Sequence, residues 1–562
     1  MAGALPLPTA LESAIAARFA EDGAEAPLAP ARSARLDERE EFPDLECALL
    51  DALRVPRAYV PPELGGAGGG LPELVETLRT VARHDLTSAV AHGKTFLGAA
   101  PVWLSGGPAQ AGGLARAVLA GAVVCWGLTE PGRGSDLLAG ELTATATDRG
   151  TWLLDGVKWP VNNATRSRFC TVLARTDPRG GPRGFTLFLV DKDTLGPGHH
   201  RHLPKEPTHG IRGADISGIA LHRAEVGADT VVGAAGEGAE TVLRALQLTR
   251  TVCCSLSVGA GEHALRLALD FARNRALYGT SLLRLPHARN TLATAAATLC
   301  LAEAATTVAA RCAHALPGEQ SVVSALAKAA VPELAQSVID DCAEVLGARG
   351  FLTGLHAHGM FQKLERDHRI VSIFDGSTAV NRNALINQFP VLVRAQRTGR
   401  HDAAGLAAAT DPRAELPGLD PARLRLMSRT GCSVVQGLAA ATTRLDGRRT
   451  APERTVALAR RLRTLTDDTT ERMAAVRPSA RELPAGAFAL ARAYETCFAG
   501  AAALHLWLAA DPGTEGSLRL EAALARAVDL LTPGGEPAPA GLYEDLLATL
   551  GATGAEEETG TP

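Results

Sequence analysis

The spacing of the apolar residues changes twice along this chain, and that excludes most fold classes. Over 1–122 the spacing is helical. Leu45–Leu53 and Leu71–Ala82 carry apolar residues at i, i+3 and i+4, parted by the breaker-rich run at 60–70. Over 123–235 the period falls to two. Leu142–Thr147 alternates, Asp148-Arg149-Gly150 turns the chain, and a short apolar strand leads to Asp155-Gly156, which reads as a second hairpin turn. Thr171–Arg175 and Phe185–Val190 are two more β-prone runs, so this block predicts an antiparallel β-barrel or sandwich. Over 236–395 the helical period returns in Thr241–Tyr278, Pro286–Leu316 and Pro332–Leu346, whose Ala and Leu suit a four-helix bundle. Arg397–Pro412 reads as a linker. Within 396–562, Pro421–Leu445, Ala451–Arg477, Ala485–Ala510 and Leu518–Leu531 predict an additional helical region, ending in an acidic, disordered tail at 551–562. The class is mainly α with a central β domain, neither βαβ nor Rossmann. Gly132-Arg133-Gly134 lacks the third glycine of a dinucleotide fingerprint and opens no βαβ unit, which disfavours nicotinamide.

Composition narrows the function. With 562 residues and 46% hydrophobic content the chain can bury a large core. Its net charge of -4 offers no basic excess for nucleic acid. No uninterrupted apolar run approaches the roughly 20 residues of a membrane span, and no basic segment precedes the apolar residues of the N-terminus, so a cytoplasmic protein is expected. The ten cysteines form no CxxC pair and read as reduced, buried thiols. His199, His200 and His202 sit in a Gly/Pro-rich loop without a paired ligand motif, and no metal is expected.

Five stretches carry chemistry. Trp126–Asp136 contains hydroxyls around Pro131-Gly132-Arg133-Gly134, a tight turn whose hydroxyls and N–H groups suit a polar ring edge or a phosphate, although an ordinary surface turn has the same composition. In Asp155–Ala164 an aromatic and two amides follow the turn and could flank a flat heteroaromatic ring; a strand with a structural Trp is the plainer alternative. Phe271–Gly279 places Arg275 near a helix end, suited to a phosphate or simply to a solvated face. Ala343–Phe351 and Arg366–Thr378 complete the set.

In this order and spacing the five resemble the acyl-CoA dehydrogenase family, with its Thr-Glu-Pro-Gly-x-Gly-Ser-Asp stretch, its Asn-Gly-x-Lys-x-Trp-Ile-Thr-Asn strand, and its later Arg-x-x-Phe-Gly, Gly-Gly-x-Gly and Arg-Asp…Ile-Tyr-Glu-Gly-Thr. The resemblance covers about residues 40–395. It implies an N-terminal helical domain, a middle β-barrel and a C-terminal four-helix bundle, with FAD as cofactor. It also implies a reaction. A carboxylate removes the pro-R α-proton of an acyl thioester, the β-carbon passes hydride to flavin N5, and a 2-enoyl thioester results. Carried over residue by residue, Asp375 stands at the catalytic base, with its own N–H polarising the thioester carbonyl. Gly376 and Ser377 follow it near FAD. Trp126, Leu128 and Thr129 contact the flavin ring, Ser135 lies near the pyrophosphate, and Asn162 takes the place of the Thr at N5. Arg275, Tyr278, Glu344 and Ala348 match positions that reach FAD across a subunit interface, which implies a homodimer or tetramer. The acyl group would ride on CoA or an acyl carrier protein, and the electrons would leave to a flavoprotein or another acceptor.

The chain departs from the pattern at several places. Asp375 replaces Glu and is one methylene shorter, about 1 Å of reach, a misplacement that can cost on the order of a hundredfold in rate. Thr249 stands where some members carry an alternative base. Pro160 replaces the shielding Trp, for which Trp159 would partly substitute. Pro286 and Glu344 replace glutamines that bind FAD, with Arg284 or Arg289 as compensating groups. These departures motivate two alternatives: a flavin oxidase or monooxygenase on the same fold, and a non-catalytic member acting as a binding partner.

Overall fold

Helical spacing translates into helices wherever it has a polar face to stand out against. In the computed structural model, which describes residues 7–477, 483–510, 515–534 and 541–556, the first helices are α1 (Leu7–Asp22), α2 (Pro30–Arg39), α3 (Asp44–Ala52), α4 (Gly70–Ala82), α5 (Leu86–Ser105) and α6 (Pro108–Leu119). α3 and α4 lie where the periodicity predicts them. α5 is buried almost all round, so no stripe betrays it. Its start is fixed by Asp85, whose carboxylate accepts from the Ser88 N–H (2.9 Å) and hydroxyl (2.6 Å). Gly98 lets α5 approach the sheet, since a Cβ there would lie 2.8 Å from the Cys125 carbonyl oxygen. The Thr171 hydroxyl then donates to the Gly98 carbonyl at 2.6 Å.

The strands are β1 (Val124–Gly127), β2 (Thr143–Ala146), β3 (Trp152–Asn162), β4 (Phe169–Arg175), β5 (Phe185–Asp191), β6 (His200–Leu203) and β7 (Ile216–Val226). They form one seven-stranded sheet in the order β1-β4-β2-β3-β7-β6, with β5 paired to β4. The sheet is mixed rather than purely antiparallel, because β1 runs parallel to β4. Turn 147–151 closes the β2–β3 hairpin as expected, with Ala146 opposite Trp152. Asp155-Gly156 is not a turn. It lies inside β3, where the register against β7 shifts between Leu154 and Gly156. Gly156 takes φ 140°, and a Cβ there would sit 2.8 Å from Leu142 Cα, so this Gly serves a bulge and a close strand approach. Leu154, Val161, Cys170, Val172, Phe188 and Leu221 fill the core of the sheet.

By contacts the described chain divides into two compact units, one ending at Val252 and one beginning at Cys253, within the long helix α7 (Gly238–Asn274). The second unit continues with the short hairpin β8 (Ala276–Leu277) and β9 (Thr280–Ser281), then α8 (Pro286–Ala315) and α9 (Gln320–Leu346). α9 begins well before Pro332, where the sequence places its start. The proline is buried inside the helix rather than at its first turn. α8 and the stretch Pro317–Leu346 are long and apolar enough to span a bilayer by length and composition, yet 83% and 78% of their most apolar windows are buried inside the fold. Next come α10 (Ala348–Phe351), α11 (Met360–His368), α12 (Thr378–Ile386) and α13 (Phe389–Thr398).

The segment expected as a linker contains α14 (Ala403–Thr410), capped by Asp402 and docked through buried Leu406 and Ala409. Its alanines are helix formers, and they outweigh its lack of an apolar stripe. The single helix expected over 421–445 is instead a 3₁₀ turn (Pro421–Arg423) and an irregular stretch, followed by α15 (Ser433–Gln436) and α16 (Leu438–Asp446). α17 (Glu453–Ala474), α18 (Ala485–Ala509) and α19 (Glu515–Leu531) match their predicted spans closely. α20 (Leu542–Glu556) takes in the first half of the tail expected to be disordered, and 557–562 lie outside the described residues. The ten cysteines are free thiols.

Candidate active site

In the first unit the motif at 126–136 and the strand β3 are tied together by a buried ion pair. Lys158 is 1% exposed, and its Nζ donates to Glu130 Oε1 at 2.7 Å and to the Leu128 carbonyl at 3.1 Å. Glu130 in turn accepts from the backbone N–H of Glu141 (2.5 Å) and of Leu142 (3.1 Å). Burial lowers the Lys158 pKa, and the Glu130 carboxylate opposes that shift. Above this lock, the Trp159 N–H donates to the Thr129 carbonyl at 3.0 Å, and the Thr129 hydroxyl donates to the Pro160 carbonyl at 2.9 Å. The hydroxyl proton is thus used within the protein, and toward a ring edge Thr129 Oγ1 can only accept. The Trp159 indole donates to Glu206 Oε1 at 2.9 Å, which fixes the orientation of the ring.

Among the described residues, Trp126 Nε1 and both amide atoms of Asn162 are buried polar atoms without a protein partner. An orphaned donor and amide are costly unless a ligand or water completes them. A flat heteroaromatic ring with donors and acceptors on its edge fits that pair, so the residues present suit a flavin. Ser135 stands apart, exposed on the turn where Gly132 and Gly134 take φ 78° and 48°.

In the second unit Asp375 lies on the loop between α11 and α12, partly exposed, with φ 55°. The loop is clamped from below. Lys328 on α9 is fully buried, and its Nζ donates to the carbonyls of Val371 (2.7 Å) and Gly376 (3.3 Å). The Asn381 amide donates to the Gly376 and Ser377 carbonyls at 2.9 and 3.0 Å, and Ser377 caps α12 by accepting from the Val380 N–H. Just before the loop, His368 is enclosed by Gln336 Oε1 (2.9 Å) and Ser257 Oγ (3.0 Å). Burial pushes its pKa down to about 3, so the ring is neutral at ordinary pH. Asp375 Oδ2 accepts from Cys253 Sγ at 3.2 Å, a neighbour to which none of the five motifs points.

The remaining predicted residues lie on the hairpin after α7 and at the junction of α9 and α10. Tyr278 and Gly279 form the two-residue turn of the β8–β9 hairpin, with φ 53° and 79°, so Tyr278 is on a turn and not in the predicted helix. Tyr278 is 94% exposed. Arg275 lies at the base of this hairpin, its carbonyl accepting from the Leu282 N–H at 2.7 Å. Ala348 opens α10, and the neighbouring Arg349 guanidinium lies 6.0 Å from the Phe271 ring, one turn before Arg275. Glu344 pairs with His287 at 2.6 Å on the surface. Of the compensating arginines, Arg289 bonds Glu544 of α20 at 3.1 Å.

Comparison with known proteins agrees with this architecture. Residues 125–224 match the acyl-CoA dehydrogenase middle domain and residues 236–389 the acyl-CoA dehydrogenase C-terminal domain. The probable acyl-CoA dehydrogenase fadE25 of Mycobacterium leprae is 28% identical over 362 residues, 64% of this chain and 90% of that protein. The human mitochondrial short-chain specific acyl-CoA dehydrogenase is 28% identical over 367 residues, 64% of this chain and 86% of its own length. The solved structure of a Bacillus anthracis acyl-CoA dehydrogenase complexed with FAD shares the fold at a TM-score of 0.68 and 18% identity, covering 97% of this chain and 87% of that one, so the helices after 396 are shared with it as well. With the mixed β domain, the helical bundle and the ordered motifs, these matches identify residues 125–224 and 236–389 as the middle and C-terminal domains of the acyl-CoA dehydrogenase family, FAD-dependent oxidoreductases that act on CH–CH groups.

Proposed function

We propose that the chain is a dehydrogenase that converts an acyl thioester, carried on CoA or an acyl carrier protein, into the 2-enoyl thioester. The observation that carries the reading is the Asp375 loop. It presents a partly exposed carboxylate, which the motif resemblance assigns to the base, on a turn clamped by Lys328 and Asn381. When bound, FAD supplies the hydride acceptor. The work of the chain is then positional. The Asp375 carboxylate takes the α-proton, while its backbone N–H polarises the thioester carbonyl. Trp126, Leu128, Thr129, Trp159 and Asn162 hold the ring, with Trp126 Nε1 and the Asn162 amide supplying the contacts that lack protein partners. Ser135, Gly376 and Ser377 lie toward the rest of the cofactor. Arg275, Tyr278, Glu344 and Ala348 reach the cofactor of a second copy, in a homodimer or tetramer. Electrons leave to a flavoprotein or other acceptor, and the enzyme works in the cytoplasm.

The test is an anaerobic titration of the purified holoprotein with a panel of acyl-CoA and acyl-carrier-protein thioesters, followed by the visible flavin spectrum. Bleaching that Asp375→Asn abolishes is the expected result. A yellow protein that no thioester bleaches, and whose chemically reduced form reoxidises rapidly in air, would replace this reading with an oxidase or monooxygenase. A colourless protein that cannot be reconstituted with FAD would favour the non-catalytic alternative.

A further inference from the structure

We infer that the crevice between α14, α16 and α18 binds a small organic anion with an apolar body, its head a carboxylate or a phosphate monoester. The inference stands apart from the reading of Asp375. The crevice holds about 910 Å³, within the range of small-molecule sites. Short side chains make the room: Ala403, Ala407, Ala440 and Ala441 line it, and Leu406 and Leu508 add apolar surface. Three guanidiniums line it as well, those of Arg413, Arg444 and Arg448. Two of them are fixed by the end of α18. Arg448 Nη2 donates to the Leu508 carbonyl at 2.6 Å, and Arg413 Nη2 donates to the Ala509 carbonyl at 2.7 Å. Carbonyls of consecutive residues thus hold the two side chains at one helix end. Asp411 pairs with Arg413 at 3.3 Å, whereas Arg444 and Arg448 have no acidic partner among the described residues. Arg448 spends a single N–H on Leu508, and the Arg444 guanidinium spends none, again among the described residues. The end of α18 contributes about half a negative charge, which two full positive charges outweigh. His505, buried on the same crevice, adds no charge: burial pushes its pKa down to about 4, and its Nε2 lies 3.0 Å from the Val434 carbonyl. Planar guanidiniums with N–H groups to spare match the oxygens of a carboxylate or phosphate, and the alanine-rich lining matches an apolar tail.

The holoprotein is titrated calorimetrically with octyl phosphate, octanoate, inorganic phosphate and octyltrimethylammonium. Saturable binding of octyl phosphate or octanoate, weakened by added salt, is the expected result, and their order of affinity identifies the head group. Inorganic phosphate should bind on the order of a hundredfold more weakly than octyl phosphate, and the ammonium should not bind. Arg444→Gln should weaken octyl phosphate binding about tenfold, and Arg444→Gln with Arg448→Gln on the order of a hundredfold. Ala440 is exposed, so Ala440→Trp fills the crevice without entering the core and should abolish binding with every arginine in place. Arg448 also caps α18, so melting temperature and FAD content are followed in each variant; Arg444→Gln and Ala440→Trp should leave both unchanged. Absence of saturable binding to the wild type, or equal binding of the ammonium, would overturn the inference. So would octyl phosphate affinity that survives Ala440→Trp, the result expected if the probe enters the flavin site instead and perturbs the visible spectrum. Inorganic phosphate binding as tightly as octyl phosphate would leave the apolar lining without a part and overturn it as well.

Discussion

Two buried lysines secure two motif segments, and they do it differently. Lys158 meets a carboxylate: Glu130 neutralises it, and the pair is completed by backbone N–H groups and a carbonyl. Lys328 reaches two backbone carbonyls of a loop that has no regular hydrogen-bond ladder. The first arrangement joins a turn to a strand that already has neighbours; the second gives a turn the donors it lacks. A full charge is therefore used in one place to lock a sheet and in the other to hold an irregular backbone, and the two should respond differently to neutralisation.

The largest expected effect on stability comes from Glu130→Gln, which strands the Lys158 charge in the interior at a cost of about 3–5 kcal/mol. Chemical denaturation and FAD content would both report it. Replacing both partners together, Glu130→Leu with Lys158→Met, should recover most of the loss; a double variant as unstable as the single one would show that the pair is not the cause. Lys328→Met should cost somewhat less, about 2–4 kcal/mol, because the Val371 and Gly376 carbonyls each lose a donor. It should also slow flavin reduction on the order of a hundredfold through displacement of Asp375. Full activity in that variant would make the clamp purely structural. A third, smaller effect is set by pH. His368 has a folded-state pKa of about 3, below its ordinary value near 6.5, so its stabilising contribution is complete above about pH 6.5 and is lost as pH falls toward 3. Between pH 7 and 5 the loss should be about 2 kcal/mol in denaturant midpoints, and His368→Gln should flatten it. The smallest expected effect is a control. Arg397 and Glu471 pair at 2.8 Å on the open surface, and Arg397→Ala should leave the melting temperature unchanged.

The sequence disclosed what repeats and concealed what depends on burial. α17 and α19 were legible because each has an apolar stripe against a polar face, and β4 and β5 because short β-branched and aromatic runs end at turn residues. α5 was not, since a helix buried on every side has no stripe. Pro332 hid the first half of α9, and Asp155-Gly156 looked like a turn because a bulge and a hairpin use the same residues. At the candidate site the motifs pointed to Asp375, Thr129 and Asn162. The groups that hold them were invisible: Lys328 is 47 positions from Asp375 and Cys253 is 122 positions away (375 − 328 and 375 − 253), and only the packing of the bundle brings them together.

The left-handed backbone at Asp375 changes how its replacement of Glu should be judged. Asp and Asn populate that basin several-fold more readily than most side chains, because a short polar group can bond locally, whereas longer residues gain no such relief. Losing a methylene at this position therefore makes the turn easier to occupy before any ligand arrives. Restoring Glu at 375 would lengthen the arm and at the same time tilt the free protein away from the conformation that presents it. Reach and readiness are coupled at this one residue, and tolerance to substitution should follow the backbone basin as much as the length of the side chain.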